Sequence, residues 1–172
     1  ATNNIVTGNH CYGNSKRGIS IRDTAHDNFI SRKTVENNTE AGFCIKDQSK
    51  DNVLWLNNII GNSVEIMTAN TYKSPEPLTY TYKGGSYTGY LGNYWDNYTG
   101  IDANGDGIGD TPYISGAISD DYPLIGQWHD GTITAPAAAT YVVTFAVKDG
   151  ENAIEGAAIE VKDSAGEVVV PE

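Results

Sequence analysis

Cysteine, methionine and basic residues are all scarce in this 172-residue chain: two Cys, one Met, and 11 Lys plus Arg against 22 Asp plus Glu, for a net charge of −11. Two cysteines, Cys11 and Cys44, are too few for a disulfide framework or a four-ligand zinc site. The shortage of Lys and Arg excludes a sequence-independent grip on nucleic acid, which needs clustered cations to neutralise phosphate. No apolar run approaches the ~20 residues that span a bilayer, and no basic-then-apolar leader precedes Ala1, so no membrane insertion by this segment is expected. What is abundant is glycine (19) and tyrosine (11), with asparagine recurring through the first half. That composition suits strands joined by tight turns, and the expectation is an all-β protein.

Three stretches align at a spacing of 24: NIVTGNHCYGN from Asn4, NFISRKTVENN from Asn28 and NVLWLNNIIGN from Asn52. Apolar columns run through Val6, Ile30 and Leu54, and through Cys11, Val35 and Ile59. Asparagine columns run through Asn4, Asn28 and Asn52, and through Asn14, Asn38 and Asn62; a third has Asn9 and Asn57 with Lys33 between them. GISIRD from Gly18 and GFCIKD from Gly42 repeat the same interval. A period of this size means stacked units. Short apolar-x-apolar segments broken by Asn and Gly are not helical, because helical apolar residues recur at three and four. The physical solution is a parallel β-helix of about three coils, with like residues stacked at the ~4.8 Å strand spacing and Asn side chains laddered between coils. In this register Cys11 points inward and Cys44 outward, so the two are not expected to pair.

The coils resemble the right-handed parallel β-helix repeats of the NosD-like periplasmic copper-binding and carbohydrate-binding/sugar-hydrolysis group, which implies a right-handed coil. The segment from Pro77 to Leu124, with GNYWDNYTG and DANGDGIGDTPY as its diagnostic part, resembles the C-terminal cap on such helices in cell-surface, S-layer-associated proteins of methanogenic archaea. The resemblance implies an extracellular, cell-surface setting and little chemistry, since a fold is not a function.

In DANGDGIGD, Asp102, Asn104 and Asp106 occupy positions 1, 3 and 5 of a calcium-type loop; Gly107 makes the turn, the Ile108 carbonyl stands at position 7 and Asp110 at position 9. These hard oxygens suit Ca²⁺. Tyr113 stands where an EF-hand places its bidentate Glu, so the last ligand has to come from Asp120 or Asp121, with Asp96 the next candidate. Calcium would pin a cap in which Tyr90, Tyr94, Trp95 and Tyr98, with Leu124 and Trp128, plug the last coil and cover its strand edge. Tyr87, Tyr90 and Tyr94 are the candidates for a sugar platform.

The expected division is coils at 1–76, a calcium-binding cap at 77–130, a small-residue linker at 131–140 and an incomplete immunoglobulin-like β module at 141–172, whose turns fall at Asp149-Gly150 and Ala165-Gly166. About 32 residues cannot close a sandwich of ~100. Both ends read as open, which points to a fragment or to a building block that meets other copies of itself or neighbouring domains of the same envelope protein.

Enzyme chemistry is not expected. Arg22, Lys46, Asp23 and Asp47 form an outward charge ladder, and carboxylates one coil apart are closer than the ~5 to 5.5 Å of a retaining glycosidase. Copper needs soft or imidazole ligands, yet Met67 stands alone and His10, His26 and His129 share no ligand spacing. The sequence therefore favours a non-catalytic, calcium-stabilised extracellular structural module of a surface layer or filament, with a carbohydrate-binding or adhesion module as its rival. A polysaccharide-active enzyme or a copper-handling accessory protein ranks below both. Asn37 (NNT) and Asn97 (NYT) are glycosylation sequons.

Overall fold

The computed structural model describes residues 1–134 and, beyond them, the strands at 148–149 and 152–153. The chain divides into two units, Ala1–Ala137 and Ala138–Glu172.

The first unit is a parallel β-helix whose coils each contribute three short strands. The first coil holds β1 (Ile5–Thr7), β2 (His10–Tyr12) and β3 (Arg17–Ile21); the second holds β4 (Phe29–Ser31), β5 (Thr34–Glu36) and β6 (Ala41–Ile45); the third holds β7 (Val53–Trp55), β8 (Asn58–Ile60) and β9 (Val64–Ile66). Stacking them makes three parallel sheets, β1-β4-β7, β2-β5-β8 and β3-β6-β9. The pairing is at the 24-residue interval: Val6 with Ile30 and Ile30 with Leu54, Cys11 with Val35 and Val35 with Ile59. In the third sheet Phe43 meets Val64, only 21 residues on, because the loop after β8 is shorter.

A left-handed bend and a ladder residue, asparagine in all but Lys33, act as a pair at three bends of each coil. The residue at positive φ precedes the ladder position: Asn3, Asp27 and Asp51 before Asn4, Asn28 and Asn52; Gly8, Arg32 and Leu56 before Asn9, Lys33 and Asn57; Gly13, Asn37 and Gly61 before Asn14, Asn38 and Asn62. The ladder asparagines thus do not make the bends themselves; they bond across coils. Asn4 Nδ2 donates to Asn28 Oδ1 at 2.8 Å, Asn28 to Asn52 at 2.8 Å and Asn52 to Asn70 at 3.1 Å. Asn14 donates to Asn38 at 2.7 Å and Asn38 to Asn62 at 3.2 Å. Backbone N–H groups of Asn4, Asn28 and Asn52 share those same acceptors, so polar groups buried at the corners are satisfied.

The coils continue beyond residue 76, where the sequence pattern loses them. Thr71 bridges to Val53, the chain leaves as the hairpin β10 (Leu78–Tyr82) and β11 (Gly85–Gly89), and β12 (Tyr94–Trp95) returns as a fourth rung beside β8. This last rung pairs Trp95 with Ile59 at an interval of 36, so a search at 24 cannot find it. A second hairpin, β13 (Tyr113–Ser115) and β14 (Ile118–Asp120), follows, and then β15 (Gln127–His129) and β16 (Thr132–Thr134). β16 joins β10 in parallel, making a four-stranded sheet β11-β10-β16-β15. The expected linker therefore begins too early at 131: Ile133 is buried and flanked by exposed threonines, a strand alternation hidden by the small residues after it.

Two cores result. One fills the coils, with Ile30, Val35, Phe43, Ile45, Leu54 and Ile59, and is closed by Trp95, Tyr113, Tyr72 and Ile118. Trp95 stacks on Tyr113 with ring centroids 4.6 Å apart, and Tyr98 meets Tyr113 edge-on. The other lies against the corner residue Leu56 and gathers Tyr80, Tyr82, Leu91, Tyr94, Leu124, Trp128 and Ile133. The expected plug is thus split: Trp95 and Tyr98 close the coils, whereas Tyr94, Leu124 and Trp128 pack the second core. Tyr90 sits apart, 5.6 Å from Tyr122 and beneath the Lys73 ammonium.

In the second unit β17 (Lys148–Asp149) and β18 (Asn152–Ala153) form an antiparallel pair on either side of Gly150-Glu151. The rest of the expected immunoglobulin-like module, including the Ala165-Gly166 turn, lies outside the described residues, as do residues 135–140 of the linker.

Candidate functional site

The Asp102–Asp110 loop is built from its carboxylates inward. Asp102 Oδ1 accepts from the Gly105 N–H at 2.8 Å and the Asp106 N–H at 3.0 Å, and its Oδ2 from the Gly107 N–H at 2.8 Å. Asn104 Oδ1 accepts from the Asp106 N–H, Asp106 Oδ1 from the Ile108 N–H, and Asp110 Oδ2 from the Ala103 N–H. Asn104 and Asp106 are short enough to reach the backbone N–H two residues on, whereas Asp102 gathers the amides three to five residues on as the loop closes around it. Gly107, at φ 90°, lies so flat on the Tyr82 ring that a Cβ there would sit 2.8 Å from the ring carbon Cγ.

Backbone bonds stitch this loop to the chain beyond it. The Gly109 N–H donates to Pro123 O at 2.8 Å, the Ile125 N–H to Gly107 O at 3.0 Å, and Ile108 bridges Leu124. Leu124 is fully buried in the second core, so the loop is fastened to a residue that the fold itself holds.

The structure brings Asp102, Asn104, Asp106, Ile108 and Asp110 into one turn but treats the three candidates for the last ligand differently. Asp120 is fully buried and belongs to the ladder, a correction to its place among the calcium ligands. Its Oδ2 accepts from Asn93 N (2.8 Å), Asn93 Nδ2 (3.2 Å) and Trp95 Nε1 (2.9 Å), and its Oδ1 from Tyr122 N (3.0 Å). Asn57 donates in turn to Asn93 at 2.8 Å, so Asp120 is the terminal acceptor of the Asn9–Lys33–Asn57–Asn93 column. Burial pushes its carboxyl up to about 6, against the pull of those four N–H donors. Asp96 accepts from the Gly61 N–H, and Asp121 is exposed, 3.5 Å from Ser119 Oγ. Among the described residues, no three His, Cys, Asp or Glu side chains converge as they would around a metal ion.

On the outer face of the third sheet, Glu65 joins Lys46 at 2.6 Å and Arg17 at 3.2 Å, and Arg17 reaches Glu40 at 3.0 Å. Hydrogen bonds from Lys46 and Cys44 hold the Glu65 carboxyl down at about 2, which leaves it a poor general base. Cys44 points outward as expected but is completely covered by these charges; Cys11, at the first coil, is only half-buried, and both thiols are free. The expected charge ladder is realised only as Arg22 with Asp47 at 2.8 Å, since Lys46 turns to Glu65. His10 pairs with Glu36 at 3.0 Å and His26 with Asp27 at 2.7 Å.

The aromatics singled out for a sugar platform are dispersed: Tyr94 is buried, Tyr87 stacks on Tyr80, and Tyr90 meets Tyr122 at a tilt of 48°. A different aromatic surface, missed in the sequence, lies on the outer face of the first sheet. Phe29 and Trp55 meet edge-on with centroids 6.1 Å apart, in a groove of about 320 Å³ shared with Ile5, Thr7, Ser31 and Arg32. The signal was available, because Phe29 and Trp55 flank the inward residues Ile30 and Leu54 and so face outward.

Among the described residues, no helix is long and apolar enough to cross a membrane. No curated protein and no solved structure matches the chain. The family described as periplasmic copper-binding protein (NosD) matches residues 1–100, which include the coils and the returning rung β12. With more than half its length matched, the chain belongs to the NosD family of β-helical proteins of the cell envelope.

Proposed function

We propose that this segment is a non-catalytic structural module of the envelope, its cap tightened by calcium, acting beside other copies or neighbouring domains of a surface protein. The observation that carries this reading is the fastening of the Asp102–Asp110 loop to Pro123–Ile125, immediately beyond the buried rung Asp120. A cation held by the hard oxygens of Asp102, Asn104, Asp106, Asp110 and the Ile108 carbonyl would neutralise the loop and, through Leu124, brace the second core.

Thermal unfolding of the full chain in calcium and in chelator tests the calcium reading. Calcium at about 100 times its dissociation constant stabilises by ~2.7 kcal/mol, and Asp102→Ala is expected to abolish the difference. Equal melting temperatures with and without calcium at millimolar concentration would remove calcium from the proposal.

A carbohydrate-binding module is the second reading, favoured by the Phe29–Trp55 groove, where two rings adjoin the Thr7 and Ser31 hydroxyls and Arg32. Glycan-dependent change in Trp55 fluorescence, lost in Phe29→Ala, would move this reading ahead. The family description names copper; this chain's soft and imidazole donors are His10, His26, His129, Met67, Cys11 and Cys44, and their separation supports placing copper below both.

A further inference from the structure

Two Asn-x-Ser/Thr sequons occur in the chain, Asn37-Asn38-Thr39 and Asn97-Tyr98-Thr99. The coil brings them to one corner. In the second sheet Glu36 pairs with Ile60, which sets Asn37 beside Gly61, and Ile59 pairs with Trp95, so Asn97 follows in the turn closed by the Tyr98 N–H to Trp95 O at the same corner. Hydrogen bonds mark the stacking: the Asn37 N–H donates to Ile60 O at 3.0 Å, the Asp96 N–H to Ile59 O at 3.1 Å, and the Gly61 N–H to the Asp96 carboxylate. Asn37 of the second coil and Asn97 of the returning chain therefore lie at one corner, with Gly61 of the intervening coil between them.

All four sequon residues that matter, Asn37, Thr39, Asn97 and Thr99, are exposed. The corner bend does not account for them. Asn37 sits at φ 52°, a conformation asparagine tolerates, but Gly13 and Gly61 make the same bend in the coils on either side. Asn97 is not at positive φ at all. The Asn37 amide packs directly over Gly61, where a Cβ would lie 2.4 Å from Asn37 Oδ1.

We propose that Asn37 and Asn97 are a matched pair of N-glycosylation sites that present two oligosaccharides from one ridge of the β-helix. This rests on the envelope reading above. The donor is a lipid-diphosphate-linked oligosaccharide supplied with its transferase. The side-chain nitrogen of each asparagine forms a bond to the anomeric carbon, the bond from that carbon to the lipid diphosphate breaks, and the amide proton passes to a base of the transferase. Two glycans on a single ridge shield that corner and leave the other corners free to pack against neighbours.

The test is secretion of the full chain from a host that N-glycosylates its exported proteins, followed by intact-mass measurement and peptide mapping of each sequon. Two glycans are expected on the wild type, one each on Asn37→Gln and Asn97→Gln, and none on the double variant. Thr39→Ala and Thr99→Ala remove the same glycans while keeping the asparagines. If secretion fails, the purified chain is treated with transferase and lipid-linked donor instead. A folded chain with either sequon unmodified would overturn the pair. That outcome would leave the structural reading standing, because both formats deliver the chain to the transferase whatever its native compartment.

Discussion

Replacing Asp120 by asparagine should remove most of the dependence of stability on pH between 4.5 and 7.5. Asp120 is fully buried at the end of an amide column, and burial raises its carboxyl to about 6, whereas the unfolded chain titrates near 3.8. The folded state thus binds the proton more tightly than the unfolded state. Its contribution to stability is complete below the unfolded value and is lost as pH rises through about 6. Linkage over this window makes the wild type ~2 kcal/mol more stable at the acid end than at the neutral end on account of this one group. The Glu65 carboxyl, held at about 2, acts in the opposite sense and at lower pH, since its stabilisation is lost as pH falls through that value; it lies outside the window. A side-chain amide in place of this carboxyl has nothing to titrate. Its oxygen can still accept from Asn93 and Trp95, but its N–H₂ then faces the Tyr122 N–H, so the variant is also expected to be less stable at neutral pH by ~1–3 kcal/mol. Urea unfolding followed by tryptophan fluorescence at several pH values measures both effects, with the Trp95 indole, 2.9 Å from Asp120, as a local reporter. Identical pH profiles for wild type and Asp120→Asn would show that the four N–H donors outweigh desolvation, and would refute the reasoning.

Lys33→Asn should stabilise the protein by about 1–2 kcal/mol. It replaces a side chain that is 1% exposed, and whose ammonium is disfavoured by burial, with the residue that completes the Asn9–Asn57–Asn93 column; a lower urea midpoint would contradict this. Gly61→Ala should destabilise by at least ~1–2 kcal/mol, because alanine is strained at φ 59° and its Cβ collides with Asn37. An unchanged melting temperature would mean that this corner can relax. Gly107→Ala should loosen the Asp102–Asp110 loop, which lies on Tyr82, and reduce any calcium-dependent gain in melting temperature more than it reduces stability in chelator.

By itself the sequence determined the coil. A ladder needs the same small amide at the same place in every turn, so Asn4, Asn28 and Asn52 declare the period of 24 directly, and the apolar columns through Val6 and Cys11 give the inward faces. The tight turn at Asp102–Asp110 was legible for the same reason, because its side-chain oxygens and glycines belong to one short stretch. What tertiary structure alone decided were the contacts made across irregular intervals. Asp120 reads as one more carboxylate beside an acidic loop; only the return of β12, 36 residues after β8, sets Asn93 and Trp95 against it and turns it into a ladder rung. The same return brings Asn97 to the corner that carries Asn37. It also separates Tyr94 from Trp95, since adjacent strand residues face opposite sides and enter different cores. Repetition is written locally and can be read locally, whereas the chain that closes a repeat follows no period, and its partners are chosen by which surfaces remain uncovered once the coils have stacked.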